Sequence, residues 1–361
     1  IITEAYRNRN LSFGNARFVN DLVEKAKINL GLRIMRRTSQ RKPSRSELMT
    51  ITERDVHHLN AINPAILPDI PIDHELLARA IEELDSLLGM AAVKQQIKET
   101  VEVVKYYKQT GRNVLSSFYL HTIFVGNPGT GKTTVARILT KIYKALGILE
   151  RGHIVETDRQ GLVAGFVGQT AIKTAERITE SLGGVLFIDE AYALSNFNGL
   201  QGDYGNEAIQ TLLKKMEDDR GKFYVFAAGY PENMDHFLKA NPGLASRFDK
   251  MLRFEDYNEE ELFDIAMKMF KDEGYIVTTG AKELINNYCH DIYSKRDKYF
   301  GNARTIRKFT GDVIRKQNLR VSLKEAEVTN SRAMNSVTAD DIRIAGNEQD
   351  DVIYRRRGIS Y

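Results

Sequence analysis

The chain has 361 residues, of which 42% are hydrophobic and 28% are charged, and its formal net charge is only +4. This length suffices for two or three compact units, and the small net charge argues neither for nor against a nucleic-acid partner. A single cysteine, Cys289, excludes an internal disulfide framework and fits a reducing compartment, so we expect a cytoplasmic protein. No apolar run is long enough to span a bilayer, and we therefore expect no membrane partner.

A repeat marks the first part of the chain. Residues 13–17, Phe-Gly-Asn-Ala-Arg, recur at residues 300–304, and residues 51–56 match residues 337–342 one position out of step. Matches in the same order at nearly constant spacing indicate a duplicated unit. We therefore expect residues 1–67 to be the end of a preceding module plus a linker, with Arg17 as the counterpart of Arg304.

The linker contains Pro64, Pro68 and Pro71, which disfavour helix and mark a boundary. The chain opens on Ile1 in the middle of a pattern, and we expect it to be a piece of a longer protein. At the other end, residues 348–361 form a basic tail. We favour a solvated terminus there over a contact with an acidic partner.

The strongest motif follows the apolar run 122–125. Residues 126–133 read Gly-Asn-Pro-Gly-Thr-Gly-Lys-Thr and lead into a helical pattern, and the order of strand, glycine loop and helix is that of a P-loop. Such a loop directs backbone N–H groups at phosphate oxygens, so the sequence predicts a nucleoside triphosphate site. We expect Lys132 to reach the β- and γ-phosphates and the Thr133 hydroxyl to bind Mg²⁺. The residues expected to bind nucleotide here are Asn127, Pro128, Gly129, Thr130, Gly131, Lys132, Thr133 and Thr134.

Strands and helices alternate around this loop. Helical spacing over residues 73–110 is interrupted at residues 87–90, and further strands are predicted at 153–157, 185–188, 223–228 and 251–254. This alternation predicts an α/β fold with a doubly wound parallel sheet, over residues 68–256. From residue 257 to 347 only helices are predicted, beginning with a capping box of Asn258 and Glu261.

Two carboxylates close the apolar strand at 185–188. Asp189 and Glu190 are expected at the sheet edge from which the P-loop also emerges. There Asp189 can hold Mg²⁺ and Glu190 can orient and polarise an attacking water. Because binding alone needs no second carboxylate, the pair favours hydrolysis of ATP.

Together these motifs resemble those of the AAA+ ATPases, in particular the branch with CbbX-type Rubisco activases, stage V sporulation protein K and the EccA ATPases. The similarity covers about residues 73–347, essentially one module. It implies a P-loop αβα subdomain followed by an all-helical lid, with residues 1–67 as the lid end of a preceding module. The segments that carry it are 126–134, 163–170, 187–191, 228–230, 241–247 and 300–304.

The resemblance implies roles for further residues. Arg247 matches the arginine finger that completes a neighbouring subunit's site, with loop capping as the alternative. Arg304 matches the sensor-2 arginine of the lid, with a structural ion pair as the alternative. Gly89 matches the backbone that lies against adenine. The chain has Gly229-Tyr230 where many AAA+ proteins have a polar sensor-1 residue, which leaves open what positions the water besides Glu190.

Phe166, Val167 and Gly168 match the pore loop that grips a translocating polypeptide in AAA+ rings. The role is physically reasonable, because an exposed aromatic side chain beside flexible glycines can make apolar contact with a polypeptide of any sequence. The alternative is that Phe166 packs in the core. Residues 196–205 are a candidate second pore loop.

The preferred hypothesis is therefore an ATP- and Mg²⁺-dependent protein remodeller that forms a ring, expected to be hexameric, and threads a protein client. The alternative is a nucleotide-gated scaffold that binds a partner without translocation. A nucleic-acid motor is disfavoured, because the chain shows neither a dense basic stripe nor an aromatic–basic platform.

Overall fold

The structure is a computed structural model that describes residues 70–110, 120–166, 168–195, 204–248, 250–297, 300–323 and 334–343, together with residues 50–57 and a few isolated earlier positions. The chain divides into two compact units, Ile1–Asp69 and Ile70–Tyr361. Several expectations lie outside the described residues: the role of Arg17, the proline-rich linker up to residue 69, Val167, residues 196–203 of the candidate second pore loop, and the basic tail.

In the first unit, the described element is helix α1, Glu53–His57. The backbone N–H and the hydroxyl of Thr52 both donate to Asp55 Oδ2, at 2.8 and 2.9 Å. The same pair of bonds recurs in the second unit, where Thr338 donates to Asp341 Oδ2 at 2.8 and 2.9 Å. The second half of the sequence repeat thus has the same local structure in both places.

The second unit contains a sheet of five parallel strands in the order β2-β3-β4-β1-β5. Since the strands are parallel, their carboxyl ends lie at one edge of the sheet and their amino ends at the other. The strands are β1 Thr122–Gly126, β2 Ile154–Thr157, β3 Val185–Ile188, β4 Tyr224–Gly229 and β5 Lys250–Phe254. This confirms the predicted doubly wound sheet, with boundaries within one or two residues of those expected from sequence.

Helices cover both faces of the sheet, and alternate residues of β1 serve the two cores: Phe124 packs on one face, Ile123 and Val125 on the other. Strands buried on both faces account for their continuous apolar sequences. The helices are α2 His74–Asp85, α3 Ala91–Gln109, α4 Lys132–Ala145, α5 Arg159–Leu162, α6 Gln169–Glu180, α7 Gly205–Asp218, α8 Pro231–Ala240 and α9 Pro242–Ala245.

A helical lid with its own core follows β5. Its first helix begins with the predicted capping box, in which Asn258 and Glu261 each accept a bond from the other's backbone N–H. Cys289 is fully buried in this core, and burial raises the pKa of its thiol to about 12, as expected for a packing residue. The lid elements are α10 Glu259–Asp272, β6 Ile276–Val277, α11 Thr279–Ser294, α12 Ala303–Ser322 and β7 Ser336–Val337.

The lid also contains a parallel pair of two-residue strands, β6 and β7, which the expectation of helices alone did not include. Two residues are too few to show a period-2 pattern, so this pairing has no signature in the sequence. Among the described residues, no helix is long and apolar enough to cross a bilayer.

Candidate nucleotide site

The P-loop lies where β1 ends and α4 begins. Gly129 and Gly131 have φ of +73° and +91°, in the left-handed region that other residues rarely adopt. This conformation curls the loop around the N-terminus of α4, where unpaired N–H groups and the helix dipole favour an anion. The Thr130 hydroxyl closes the curl by donating to the Asn127 carbonyl at 2.8 Å. The loop therefore has the backbone form that a phosphate site requires.

Lys132 is drawn into the loop itself. Its Nζ donates to the carbonyls of Gly126 and Asn127, both at 2.8 Å. The pKa of this ammonium is lowered to about 8, mainly by burial. The charge of Asp189 opposes this shift, and the charge of Arg304 adds to it. At pH 7 the side chain therefore remains mostly a cation. The same interactions place Asp189 and Arg304 within electrostatic reach of Lys132.

Asp189 and Glu190 follow β3 directly and are exposed at the carboxyl edge. The Glu190 N–H donates to Asp189 Oδ1 at 3.0 Å, and Glu190 has a left-handed φ of +48°. A left-handed glutamate is an uncommon, strained conformation of the kind found at functional sites. The charges of both carboxylates act on Lys132, so these two consecutive residues at the end of one strand lie near the P-loop.

Two tyrosines beside Glu190 belong to the site and were not identified from sequence. Burial, and after it the charge of Glu190, raises the pKa of the Tyr192 phenol to about 12, so this phenol lies near the Glu190 carboxylate. Its ring packs against that of Tyr230 with centroids 5.8 Å apart. A Cβ on Gly229 would lie 2.7 Å from Met234 Sδ and 2.8 Å from the Tyr192 ring, so the glycine makes room for these two side chains. Tyr230 directly follows β4, which lies between β1 and β3 in the sheet, so the tyrosine pair lies at the carboxyl edge between these strands.

The lid contributes a second wall through residues 300–304. Arg304 lies in the first turn of α12, and its charge acts on Lys132. A Cβ on Gly129 would lie 2.2 Å from the Gly301 carbonyl oxygen and 2.8 Å from the Arg304 nitrogen. The repeated motif thus packs directly on the P-loop. Gly89, with φ +63°, lies in the turn before α3, where an added Cβ would lie 3.0 Å from Tyr257 of the lid.

Arg247 is not part of this cluster. Its Nη1 donates to the Gly243 carbonyl at 3.1 Å and its Nη2 to Glu217 at 3.3 Å, while its buried Nε has no partner among the described residues. Its charge lowers the pKa of His121, which precedes β1, so Arg247 lies at the amino edge of the sheet. Within the chain it therefore makes the loop-capping contacts that were the alternative to an arginine finger.

Phe166 lies on the surface, 71% exposed, just before α6. An added Cβ would meet nothing within 4 Å at Gly165 or at Gly168. The base of the loop is fixed, because the Thr170 hydroxyl accepts from the Ala164 N–H at 3.1 Å and Lys173 donates to the Val163 carbonyl at 3.1 Å. A fixed base and an exposed aromatic tip do not fit the alternative in which Phe166 packs in the core.

The donor set suits a nucleotide with Mg²⁺. Thr133 and Asp189 offer a hydroxyl and a carboxylate, and Mg²⁺ prefers a few protein oxygens supplemented by phosphates and water. Within the described part of the chain, no group of three or more His, Cys, Asp or Glu side chains is placed to hold a metal ion. A metal here would accordingly take its remaining ligands from phosphate and water. The residues present thus fit the magnesium salt of a nucleoside triphosphate.

Comparison with known proteins agrees with this geometry. The model of the family described as "ATPase family associated with various cellular activities (AAA)" matches residues 122–256. The model of the AAA lid domain matches two segments, residues 1–64 and residues 258–352.

Relatives with similar sequences extend over most of the chain. Stage V sporulation protein K of Bacillus subtilis is 39% identical over 251 residues, covering 69% of this chain and 77% of that protein. Protein CbbX of Cereibacter sphaeroides is 39% identical over 267 residues, covering 73% and 85%. The chloroplastic ribulose bisphosphate carboxylase/oxygenase activase of Cyanidioschyzon merolae is 39% identical over 235 residues, covering 64% and 79%.

Among solved structures, a point mutant of RuvB from Thermotoga maritima matches with a TM-score of 0.50 and 21% identity, covering 74% of this chain and 72% of that one. At this identity the match concerns the fold alone, and it is the same P-loop architecture.

Proposed function

The chain belongs to the AAA ATPase family, and we propose that it is a motor that hydrolyses ATP between subunits of a ring to remodel a protein client. The observation that carries this proposal is the split of its charged groups between the two edges of the sheet. One edge holds the P-loop, Asp189 and Glu190, whereas Arg247 lies at the other.

This split supports action between subunits. The strand β1 has five residues, so roughly 16 Å separates the P-loop from the amino edge near His121. Arg247 lies at that far edge and cannot serve the nucleotide of its own chain from there. In a ring of identical subunits, a surface at one edge can face the other edge of its neighbour. Arg247 would then leave Glu217 and bind the transferred phosphoryl group of the adjacent subunit.

The roles at the carboxyl edge follow from the chemistry of each group. When bound, ATP would supply the phosphoryl group, and Mg²⁺ would neutralise part of the charge on that group. Lys132 and the loop N–H groups bind the phosphates, and Thr133 and Asp189 provide oxygen ligands. Glu190 accepts a proton from the attacking water, and Arg304 reaches the phosphates from the lid.

We further propose that Phe166, with Val167 and Gly168, contacts the client in the pore. Its exposure on a loop with a fixed base supports this role, since an aromatic tip grips a chain without regard to sequence. The relative named as an activase acts on ribulose bisphosphate carboxylase/oxygenase, which is a precedent for a protein client. The client of this chain, the hexameric state and a cytoplasmic location belong to the same proposal.

The domain organisation is also proposed. Residues 1–67 form the lid end of a preceding module plus linker, residues 68–256 the nucleotide-binding subdomain, and residues 257–347 the lid. Support comes from the two matches of the AAA lid model and from the recurring threonine–aspartate bonds at Asp55 and Asp341. The intact protein would then carry at least two modules.

The test is the ATP turnover per protomer as a function of protein concentration. A steep rise is expected, because an isolated chain lacks the arginine of its neighbour. A flat and substantial rate would show a self-contained site and contradict the proposal. Lys132→Ala is the inactive control for contaminating ATPases.

A nucleotide-gated scaffold remains the alternative function, and Phe166 separates the two. In the motor, Phe166→Ala is expected to abolish the stimulation of turnover by a fluorescein-labelled unfolded polypeptide, while Ile172→Ala retains it. Ile172 is a matched control because its side chain is also exposed, at 61%, on the adjacent helix α6. Equal stimulation of both variants would favour the scaffold.

A further inference from the structure

One carboxylate near the P-loop has no role in the proposed function. Asp256 follows β5 at the carboxyl edge, at the junction between the nucleotide-binding subdomain and the lid. Its two oxygens lie 3.0 Å from the side-chain nitrogen of Asn127, in the P-loop. Its Oδ1 also accepts from Asn302 Nδ2, in the lid, at 2.7 Å. One side chain thus holds a residue of each subdomain.

Asn302 is held on every side. It is fully buried, and its Nδ2 also lies 3.3 Å from the Pro128 carbonyl and 3.2 Å from the Phe300 carbonyl. Its Oδ1 accepts from the Tyr257 N–H at 2.9 Å. Both ends of the amide are therefore satisfied, which fixes its orientation.

The backbone of Asn302 requires this support. Its φ is +47°, in a region that residues other than glycine seldom occupy and that persists only where surrounding bonds enforce it. Asn302 is the N-cap of α12, two residues before Arg304. Whatever fixes Asn302 therefore also fixes where Arg304 stands relative to the P-loop.

We propose that Asp256 is a positioning residue for ATP hydrolysis, which binds Asn127 and Asn302 together and thereby holds Arg304 against the P-loop. This inference rests on the proposed function, because it assigns a role at the same site. A carboxylate suits the task, since it accepts bonds from two amides at once and such charge-assisted bonds are strong. Asp256 touches no phosphate in this role and acts through its two neighbours.

The first test needs no nucleotide. The Tyr257 N–H reports the position of Asn302, so its hydrogen exchange measures whether the junction is closed. In Asp256→Asn this amide is expected to exchange ~10- to ~100-fold faster, the range of a lost bond to a charged group. Glu255→Gln removes a charge at the adjacent exposed position and is the matched control, with exchange unchanged. Unchanged exchange in Asp256→Asn would overturn the inference.

Reversing the pair provides the rescue. In Asn127→Asp with Asp256→Asn, an amide again faces a carboxylate, and residue 256 keeps an oxygen for Asn302. Protection of the Tyr257 N–H is expected to return to within about threefold of the original, since a bond between an amide and a carboxylate again joins residues 127 and 256. Failure to return, with both single variants folded by circular dichroism, would show that the bonds do not act as a unit.

Kinetics separate this role from general loss of structure. Asp256→Asn is expected to lower kcat ~10-fold with the Kd for ATP unchanged or tighter, because a negative charge near the phosphates is removed. A weakened Kd with unchanged kcat would contradict the positioning role. If Lys132→Ala binds and hydrolyses ATP normally, the proposed nucleotide site fails, whereas the exchange result at Tyr257 stands on its own.

Discussion

The two edges of the central sheet differ in how they hold their charged groups. At the carboxyl edge, Asp189 and Glu190 are exposed, and Lys132 keeps its charge with a pKa of about 8. At the amino edge, His121 is 3% exposed, and burial lowers the pKa of its imidazole to about 3, helped by the charges of Arg220 and Arg247.

The contrast shows which edge is built for a ligand and which for packing. His121 Nδ1 accepts from the Val225 N–H at 2.9 Å, and its ring lies among Phe223, Tyr224 and Phe248. A neutral ring with its acceptor satisfied costs little to bury. The one group at this edge with a proposed reactive role, Arg247, is held by Glu217 and Gly243 of its own chain. Arg247 therefore lies at the edge of the sheet opposite to the proposed nucleotide site of its own chain.

The largest expected effect comes from removing the charged group that each edge is proposed to supply to catalysis. Arg247→Ala is expected to lower kcat ~10³-fold with little change in the Kd for ATP, because the guanidinium acts on charge that develops in the transition state. Lys132→Ala should be equally inactive, because it removes the ammonium that is proposed to bind the phosphates at the carboxyl edge. The measurement is steady-state turnover of each variant alone and of an equal mixture.

The mixture distinguishes action in trans from action in cis. A Lys132→Ala subunit keeps Arg247 and can supply it to the intact P-loop of an Arg247→Ala neighbour, so random mixing restores about a quarter of the interfaces. An inactive mixture whose co-assembly is verified by size-exclusion chromatography would remove Arg247 from the role of a finger between subunits.

The same contrast explains what the sequence could predict. The P-loop, Asp189 and Glu190 follow from contiguous patterns, because a strand end and a loop fix their place locally. Asp256 and Asn127 are 129 residues apart, and no local pattern announces their bond. Asp256 could have been identified from the sequence as a polar residue that follows a predicted strand at the carboxyl edge. No feature of the sequence pointed to Tyr192. The present partner of Arg247 is likewise a tertiary contact that spacing cannot give.

A smaller effect is expected when pH is lowered, on the free energy of unfolding, and it arises from His121 at the amino edge. The folded protein keeps His121 neutral down to a pKa of about 3, whereas the unfolded chain takes up its proton near 6.5. Stability from this residue is complete above pH 6.5 and falls by about 1.4 kcal/mol per unit as pH decreases toward 3. At pH 5 the free energy of unfolding should be about 2 kcal/mol lower on this account.

His121→Asn removes the titration while keeping a side-chain acceptor for the Val225 N–H. Urea unfolding at pH 7 and pH 5 should show a difference about 2 kcal/mol smaller in this variant than in the unaltered protein. Groups that titrate elsewhere cancel in this double difference. The same pH dependence in both proteins would show that the imidazole is not held neutral.

The smallest expected effect returns to the carboxyl edge, where the phenol of Tyr192 lies near the Glu190 carboxylate and its ring packs against that of Tyr230. Tyr192→Phe keeps the ring contact and removes only the hydroxyl, so kcat should fall about 3- to 10-fold with the Kd for ATP unchanged. Tyr275→Phe is the matched control, because it removes a hydroxyl that bonds Asn318 in the lid at 2.9 Å.

If Tyr192 acts through Glu190, its effect must vanish once Glu190 no longer functions. In single-turnover hydrolysis, Tyr192→Phe should therefore cost nothing further in a Glu190→Gln background, which is the signature of two residues acting as one unit. An equal cost in both backgrounds would mean that the phenol acts on the site independently of Glu190. In that case the exposed carboxylate would owe its orientation to its left-handed backbone alone, and Tyr192 would serve, with Met234, to fill the space that Gly229 leaves beside β4.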